Sequence, residues 1–215
     1  MSEALARLSR SVSAQLRANP RVQIVAGEGI DLYVAQQFLS VEECHALIAM
    51  IDADRQPSQI LAVQPEDKSF RNSESCNMDR WHPFVQTVDT RICDLVGIDP
   101  RMGETMQGQR YSVGQQFKAH QDYFHVDQPY WKIEEGRGGQ RSWTCMIYLD
   151  EPAGGGQTLF EQARLQVAPR TGMLLAWNNM NDDGSPNAQS MHESLPVTAG
   201  IKNIVTKWFR EANWV

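Results

Sequence analysis

Thr105-Met-Gln-Gly-Gln-Arg-Tyr-Ser-Val-Gly-Gln-Gln-Phe-Lys-Ala-His-Gln-Asp122 carries the texture that decides the fold. Two strand-like runs, Thr105 to Tyr111 and Gln116 to Asp122, are broken at Gly114. The same texture continues downstream in Trp143 to Leu149, Thr158 to Glu161, Leu165 to Val167, Met173 to Trp177, Gln189 to Leu195 and Ile201 to Phe209. Short runs rich in β-branched and aromatic residues, separated by Gly, Pro and Asn, read as strands. About eight strands after two or three helices predict an α+β, mainly β chain, a double-stranded β-helix (jelly roll) with N-terminal helices packed on the outside. The polar stretches 178–187 and 125–139 read as loops, the second long enough to act as a lid.

Upstream the periodicity is helical. Leu5, Leu8, Val12 and Leu16 form one stripe in a segment from Ser2 to Asn19 that stops at Pro20. This helix can pack on the core or on a second subunit, which leaves a homodimer open. Val22 to Val25 and Ile30 to Val34 are short strands separated by Gly27 and Gly29. Ser40 with Glu43 three residues later is a capping box opening a helix to about Ala53, and a further helix runs from Pro83 to Gly97. The polar connection between them, which contains Arg71-Asn72-Ser73, reads as a functional loop or as a segment disordered at its start.

A chain of 215 residues, 41% hydrophobic and 21% charged, suits one globular domain spanning 1–215. It contains no long apolar run to cross a bilayer or act as a leader, so a soluble, cytoplasmic protein with no membrane partner is expected. A net charge of -6 offers no basic footprint for phosphate backbones, and nucleic acid is not the expected partner. Cys44, Cys76, Cys93 and Cys145 lack metal spacing and read as reduced core thiols, with Cys76 in a polar loop.

His120 and Asp122 are two apart, so both leave the same face of an extended strand and can meet one ion. His192, on a distant strand, completes the set. Two imidazoles and a carboxylate suit Fe(II) and leave coordination positions for exogenous molecules, whereas a structural zinc site would be closed by a fourth ligand, usually with cysteine. Alone, His-x-Asp is a weak signal and more often a surface hydrogen bond. His125 competes as third ligand, but three residues past Asp122 it falls on the opposite face of a continuing strand. In the last strand Lys202, Ile204, Thr206 and Trp208 share one face, and Ile201, Val205 and Phe209 the other. If the first face is internal, Lys202 needs an acidic partner such as a small carboxylate, with Thr206 as second donor; otherwise its tip snorkels to solvent.

The segments Tyr111-Ser-Val-Gly-Gln-Gln-Phe, His120-Gln-Asp122, Gln140 to Asp150, Gly154-Gly-Gly-Gln-Thr-Leu-Phe160, Val167-Ala-Pro-Arg-Thr-Gly172 and His192 to Trp208 together resemble the prolyl 4-hydroxylase type of Fe(II)/2-oxoglutarate-dependent dioxygenase. The resemblance covers residues 38 to 210, in order. It implies iron on His120, Asp122 and His192, and 2-oxoglutarate held at its distal carboxylate by Lys202 with Tyr148, near Tyr111 and Thr206. On the substrate side it implies Arg71 in a mobile loop over a peptide, Arg141 facing the substrate and Trp208 as a pocket wall. Strict alternation puts Arg141 and Tyr148 on opposite faces, so this match requires the strand to begin after Arg141. Arg210 stands where a histidine helps bind peptide in some of these enzymes, a departure that bears on proline specificity. Residues 1–20 then form the N-terminal helix, 21–103 the helical support and substrate loop, and 104–210 the catalytic core. The implied activity is oxygen-dependent hydroxylation of an unactivated C–H bond, on a peptidyl proline, with Fe(II), 2-oxoglutarate and O2, and with L-ascorbate as a rescuing reductant. Two rivals stand beside it: a cupin-like metal-binding or sensor module without turnover, and the same chemistry on a free amino acid or small molecule.

Overall fold

Ser2 caps α1 (Glu3–Ala18) by accepting the Leu5 amide hydrogen, and the helix buries Leu5, Val12 and Leu16. The computed structural model describes residues 2–59 and 69–215, so residues 60–68 of the expected substrate loop lie outside the described residues. After β1 (Val22–Val25) and β2 (Leu32–Ala35) comes α2 (Val41–Asp54), where both halves of the Ser40–Glu43 capping box are formed. Burying Leu47 and Ile51 stabilises by roughly 3 to 6 kcal/mol together, against about 1 kcal/mol for the cap. The cap therefore sets where this helix starts, and packing decides that it forms. Next follow β3 (Gln56–Pro57), β4 (Glu74–Asn77) and α3 (Pro83–Val96), which begins on proline and ends at Gly97 with φ of 69°. A left-handed residue there is what closes the helix.

The C-terminal half contains β5 (Gln107–Tyr111), β6 (Phe117–His120), α4 (Trp131–Gly136), β7 (Arg141–Tyr148), β8 (Gly154–Gly155), β9 (Thr158–Phe160), β10 (Leu165–Val167), β11 (Leu174–Asn178), β12 (His192–Ser194), β13 (Val197–Ala199) and β14 (Lys202–Arg210). Eight strands form a large sheet in the order β1-β2-β11-β7-β14-β5-β4-β3, and four form a smaller one in the order β10-β9-β12-β6. β8 and β13 pair separately. The expected jelly roll is the observed architecture.

Alternation along β7 and β14 assigns the two faces of the large sheet. Trp143, Cys145, Ile147, Val205 and Phe209 pack against Leu16, Leu47, Ile51 and Val88 of the three N-terminal helices. Met146, Tyr148 and Ile204 point the other way, into a second cluster with Leu175, Trp177 and Phe160. The helices thus support the sheet from behind, and the site lies in front, between the sheets. The apolar stripe of α1 is spent on this core within the chain. No helix among the described residues is long and apolar enough to cross a membrane.

Several sequence expectations are corrected. The run ending at Asp122 leaves the sheet after His120, and the run from Gln189 opens as a helical turn before β12 begins. The 125–139 segment carries α4. Cys76 sits buried on β4 instead of in a polar loop, and all four cysteines are buried free thiols, in keeping with reduced core thiols. Burial pushes the thiols up, Cys44 to about 11 and Cys93 to about 12, which removes nucleophilic thiolate at neutral pH. Ile201 is exposed and precedes β14, so it shares no face with Val205.

Candidate active site

His120 and His192 are direct register partners across β6 and β12, which brings their rings to 4.3 Å between centroids. Asp122, two residues past the strand end, turns back so that its carboxylate oxygens lie 4.0 Å from His120 Nε2 and 3.9 Å from His192 Nε2. One ligand atom from each of the three falls within 4.8 Å of the others, and among the described residues this is the group able to hold a metal ion. His120 Nδ1 meets the Lys118 carbonyl at 2.8 Å and His192 Nδ1 meets the Ser190 carbonyl at 3.0 Å. A carbonyl can only accept, so each Nδ1 carries the proton and each Nε2 presents a lone pair to the common centre.

The surroundings fix these groups. The Thr144 hydroxyl donates to Asp122 Oδ2 at 2.7 Å and itself accepts from Asn179 Nδ2 at 2.9 Å. Phe117 stacks on His120 at 3.6 Å, while Trp177 meets His192 edge-on at 4.8 Å. Burial, with the His192 imidazole beside it, pushes His120 down to about 3. Burial works against ionisation of Asp122, but the two histidines and Arg141 outweigh it and hold its carboxyl below the usual range. A neutral His120 beside an ionised Asp122 is in the form that coordinates a divalent metal. Two nitrogens and one oxygen, with no cysteine, fit iron. His125 is exposed and outside this group.

An inner cavity opens from the triad toward β14, with Lys202 at its wall. Lys202 has no exposed surface, which removes the snorkelling alternative. Its Nζ donates to Ser194 Oγ at 2.7 Å and lies 5.0 and 5.6 Å from the ring centroids of Tyr111 and Tyr148. Burial pushes this amine down to about 7, with Asp150 opposing. Thr206 lines the same cavity and accepts from Gln109 Nε2 at 3.2 Å, which leaves its own hydrogen free to donate. The Tyr111 hydroxyl gives its one hydrogen to Gln109 Oε1 at 2.7 Å, so it presents only lone pairs elsewhere. Tyr148 stands behind the cavity, bonded to Thr158 at 2.6 Å, and it is Thr158 that forms the wall.

On the other side of the triad an outer groove of about 480 Å³ is lined by Arg71, Arg141, Trp208, Trp214, Tyr123 and Tyr130, among others. Arg71 bridges to Phe117, places its guanidinium 4.7 Å over that ring and donates to Gln107 at 2.8 Å. Arg141 belongs to β7 and yet reaches the groove, which overturns the condition that the strand begin after it. The pairing of β14 with β7 jumps from Phe209↔Trp143 to Arg210↔Arg141, so Ser142 is an extra residue that resets the alternation. Arg141 binds Glu104 bidentately at 2.6 and 2.8 Å and lies 4.2 Å over the Trp208 ring. Arg210, at the position where some of these enzymes carry a histidine, is 2% exposed and committed to Glu104 and Glu134, so it does not enter the groove.

The sequence reading missed Gln109, Thr144, Thr158, Asn179 and Ser194. Two of them were one period-2 step away from residues it had found, Gln109 before Tyr111 and Ser194 after His192, and Thr144 was two such steps before Tyr148. Thr158 and Asn179 carry no comparable signal.

A family model described as the 2OG-Fe(II) oxygenase superfamily matches residues 106–210. Among characterised sequences, prolyl 4-hydroxylase 5 of Arabidopsis thaliana is 32% identical over 82% of this chain and 67% of its own length. A protein named probable prolyl 4-hydroxylase 8 from the same plant is 30% identical over the same shares of the two chains. Among solved structures, a viral collagen prolyl hydroxylase from Paramecium bursaria Chlorella virus-1, in complex with 2OG, superposes with a TM-score of 0.66 at 24% identity, covering 83% of this chain and 95% of the other. That structural likeness concerns the fold.

Proposed function

Because the chain belongs to the prolyl 4-hydroxylase type of 2OG-Fe(II) oxygenase, a 2-oxoglutarate-dependent dioxygenase, we propose that its two cavities divide one reaction, the inner one taking 2-oxoglutarate and the outer one a proline-containing peptide. The observation that carries the assignment of the inner cavity is the fully buried Lys202, whose only direct polar partner among the described residues is the Ser194 hydroxyl. An ammonium so placed is stabilised by a ligand carboxylate, which also accepts the free hydrogen of Thr206. His120, Asp122 and His192 hold the iron from one side, and Thr144 and the two backbone carbonyls keep those ligands aimed. Bound iron with dioxygen supplies the oxidation that converts 2-oxoglutarate to succinate and carbon dioxide and hydroxylates a C–H bond.

The remaining residues orient and enclose. Phe117, Met146, Trp177 and Ile204 line the inner cavity with apolar surface that limits water around the co-substrate. Arg71 and Trp208 stand in both cavities, at the boundary where a substrate carbon meets the metal. The open 480 Å³ groove is far larger than a free amino acid requires and is rich in aromatic rings, which supports a peptide and suits the flat faces of proline. L-Ascorbate is the proposed reductant for iron oxidised in turnovers without substrate. The buried free thiols suit a reducing, cytoplasmic compartment.

Anaerobic protein mixed with Fe(II) and 2-oxoglutarate should develop a weak visible metal-to-ligand charge-transfer band. Admitting oxygen should release succinate, and proline-containing peptides should gain one oxygen by mass spectrometry. A wild-type protein without the band would sink the co-substrate assignment, and a band retained in His192→Ala would move the third ligand elsewhere.

A further inference from the structure

Beside Trp214, which lines the outer groove, a guanidinium lies close to two indoles. Arg80 Cζ lies 5.4 Å from the ring centroid of Trp81 and 5.3 Å from that of Trp214. Trp214 also lines the groove beside Arg141 and Trp208, so the stack is continuous with the proposed peptide site. Both anchors are fixed by backbone hydrogen bonds: Trp81 N donates to Asp79 Oδ1 at 3.0 Å, and Trp214 N donates to the Arg101 carbonyl at 2.8 Å. Trp81 is nevertheless 74% exposed and the one aromatic among the large exposed hydrophobic residues described.

The nearby arginines are committed. Arg101 pairs with Asp99, Arg141 with Glu104, and Arg210 with Glu104 and Glu134. Among the described residues Arg80 has no carboxylate partner and makes only its two ring contacts. With its carbon over two rings and no carboxylate partner, the guanidinium keeps N–H donors for an incoming carboxylate, which it can match bidentately. We propose that Arg80, Trp81 and Trp214 extend the substrate groove into a subsite for an acidic side chain flanking the target residue. The peptide's aspartate or glutamate meets the edge of Arg80, and its adjoining apolar surface lies on Trp81. This deepens, and rests on, the reading that the groove binds a peptide.

The test uses the full chain under anaerobic conditions with Fe(II) and 2-oxoglutarate, and fluorescein-labelled decamers of alternating alanine and proline. One carries two glutamates at its N-terminal end, one carries them at its C-terminal end, one is neutral, and lysine replaces glutamate in two more. Fluorescence anisotropy should show one glutamate version binding on the order of tenfold tighter than the neutral peptide, and its lysine counterpart binding more weakly. Arg80→Gln should erase the preference, and Trp81→Ala should weaken the glutamate peptide severalfold, both with the charge-transfer band intact. Equal affinity for all decamers, or a glutamate preference that survives in Arg80→Gln, would overturn the subsite while leaving the peptide groove in place. No binding of any decamer to wild type would overturn the peptide reading and the subsite with it.

Discussion

Lys202 is an amine without solvent, opposed by rings from β5 and β7 and by one hydroxyl from β12, with Asp150 acting from further off. Its folded pKa of about 7 lies below the unfolded value of 10.5. Between those values the unfolded chain holds a proton that the folded chain has released, so Lys202's contribution makes the ligand-free protein more stable as pH rises through that window. Pairing with a 2-oxoglutarate carboxylate should restore the ammonium. Calorimetry at pH 8 in buffers of different ionisation enthalpy should therefore register proton uptake, and affinity should fall as pH rises above 7. Lys202→Ala should weaken 2-oxoglutarate binding by about 2 to 4 kcal/mol, read by titrating the charge-transfer band. A near-neutral effect would remove the lysine from the site. At this scale the sequence was most informative, because period-2 spacing put Lys202 with Thr206 on one face. It could not show that Thr158 stands in front of Tyr148, since that depends on β9 of the other sheet.

Elements were legible where local chemistry specifies them. The Ser40 capping box, Pro83 and Gly97 marked helix boundaries that the structure reproduces to within a residue or two. β8 escaped notice because it is two glycines with no side chains to alternate, and β13 because it lies between Pro196 and Gly200, which read as a turn. The Ser142 bulge was likewise invisible, being a relation between β7 and β14 and not a property of either. It matters because it delivers Arg141 to the groove, where Glu104 joins it to Arg210 and so to Glu134 of α4. Arg210→Leu leaves two carboxylates buried with one cation fewer and should cost about 3 to 5 kcal/mol, seen as a lower urea midpoint with an unchanged m-value. An unaltered midpoint would show that the network is not needed to hold the segment.

Across the molecule, the concentration of long helices before residue 104 and of strands after it was legible from texture, although β1 to β4, half of the large sheet, and α4 cross that division. The order of strands in the large sheet was not, because β2 joins β11, and β7 is flanked by β11 and β14. Such long-range neighbours are chosen by which faces must be buried, not by local propensity. The same topology governs the triad. His120 and His192 are opposite one another across two strands yet are 72 positions apart in the chain (192 − 120). An unfolded or half-assembled polypeptide must close that long loop before both imidazoles can face one ion. Metal is then a ligand of the finished fold, not a template for it. Stopped-flow refolding should proceed at the same rate with or without Mn(II) as a redox-silent substitute, while unfolding slows in its presence. Faster refolding with metal would mean that β6 and β12 meet before the rate-limiting barrier, turning the chelate from a late seal into a nucleus.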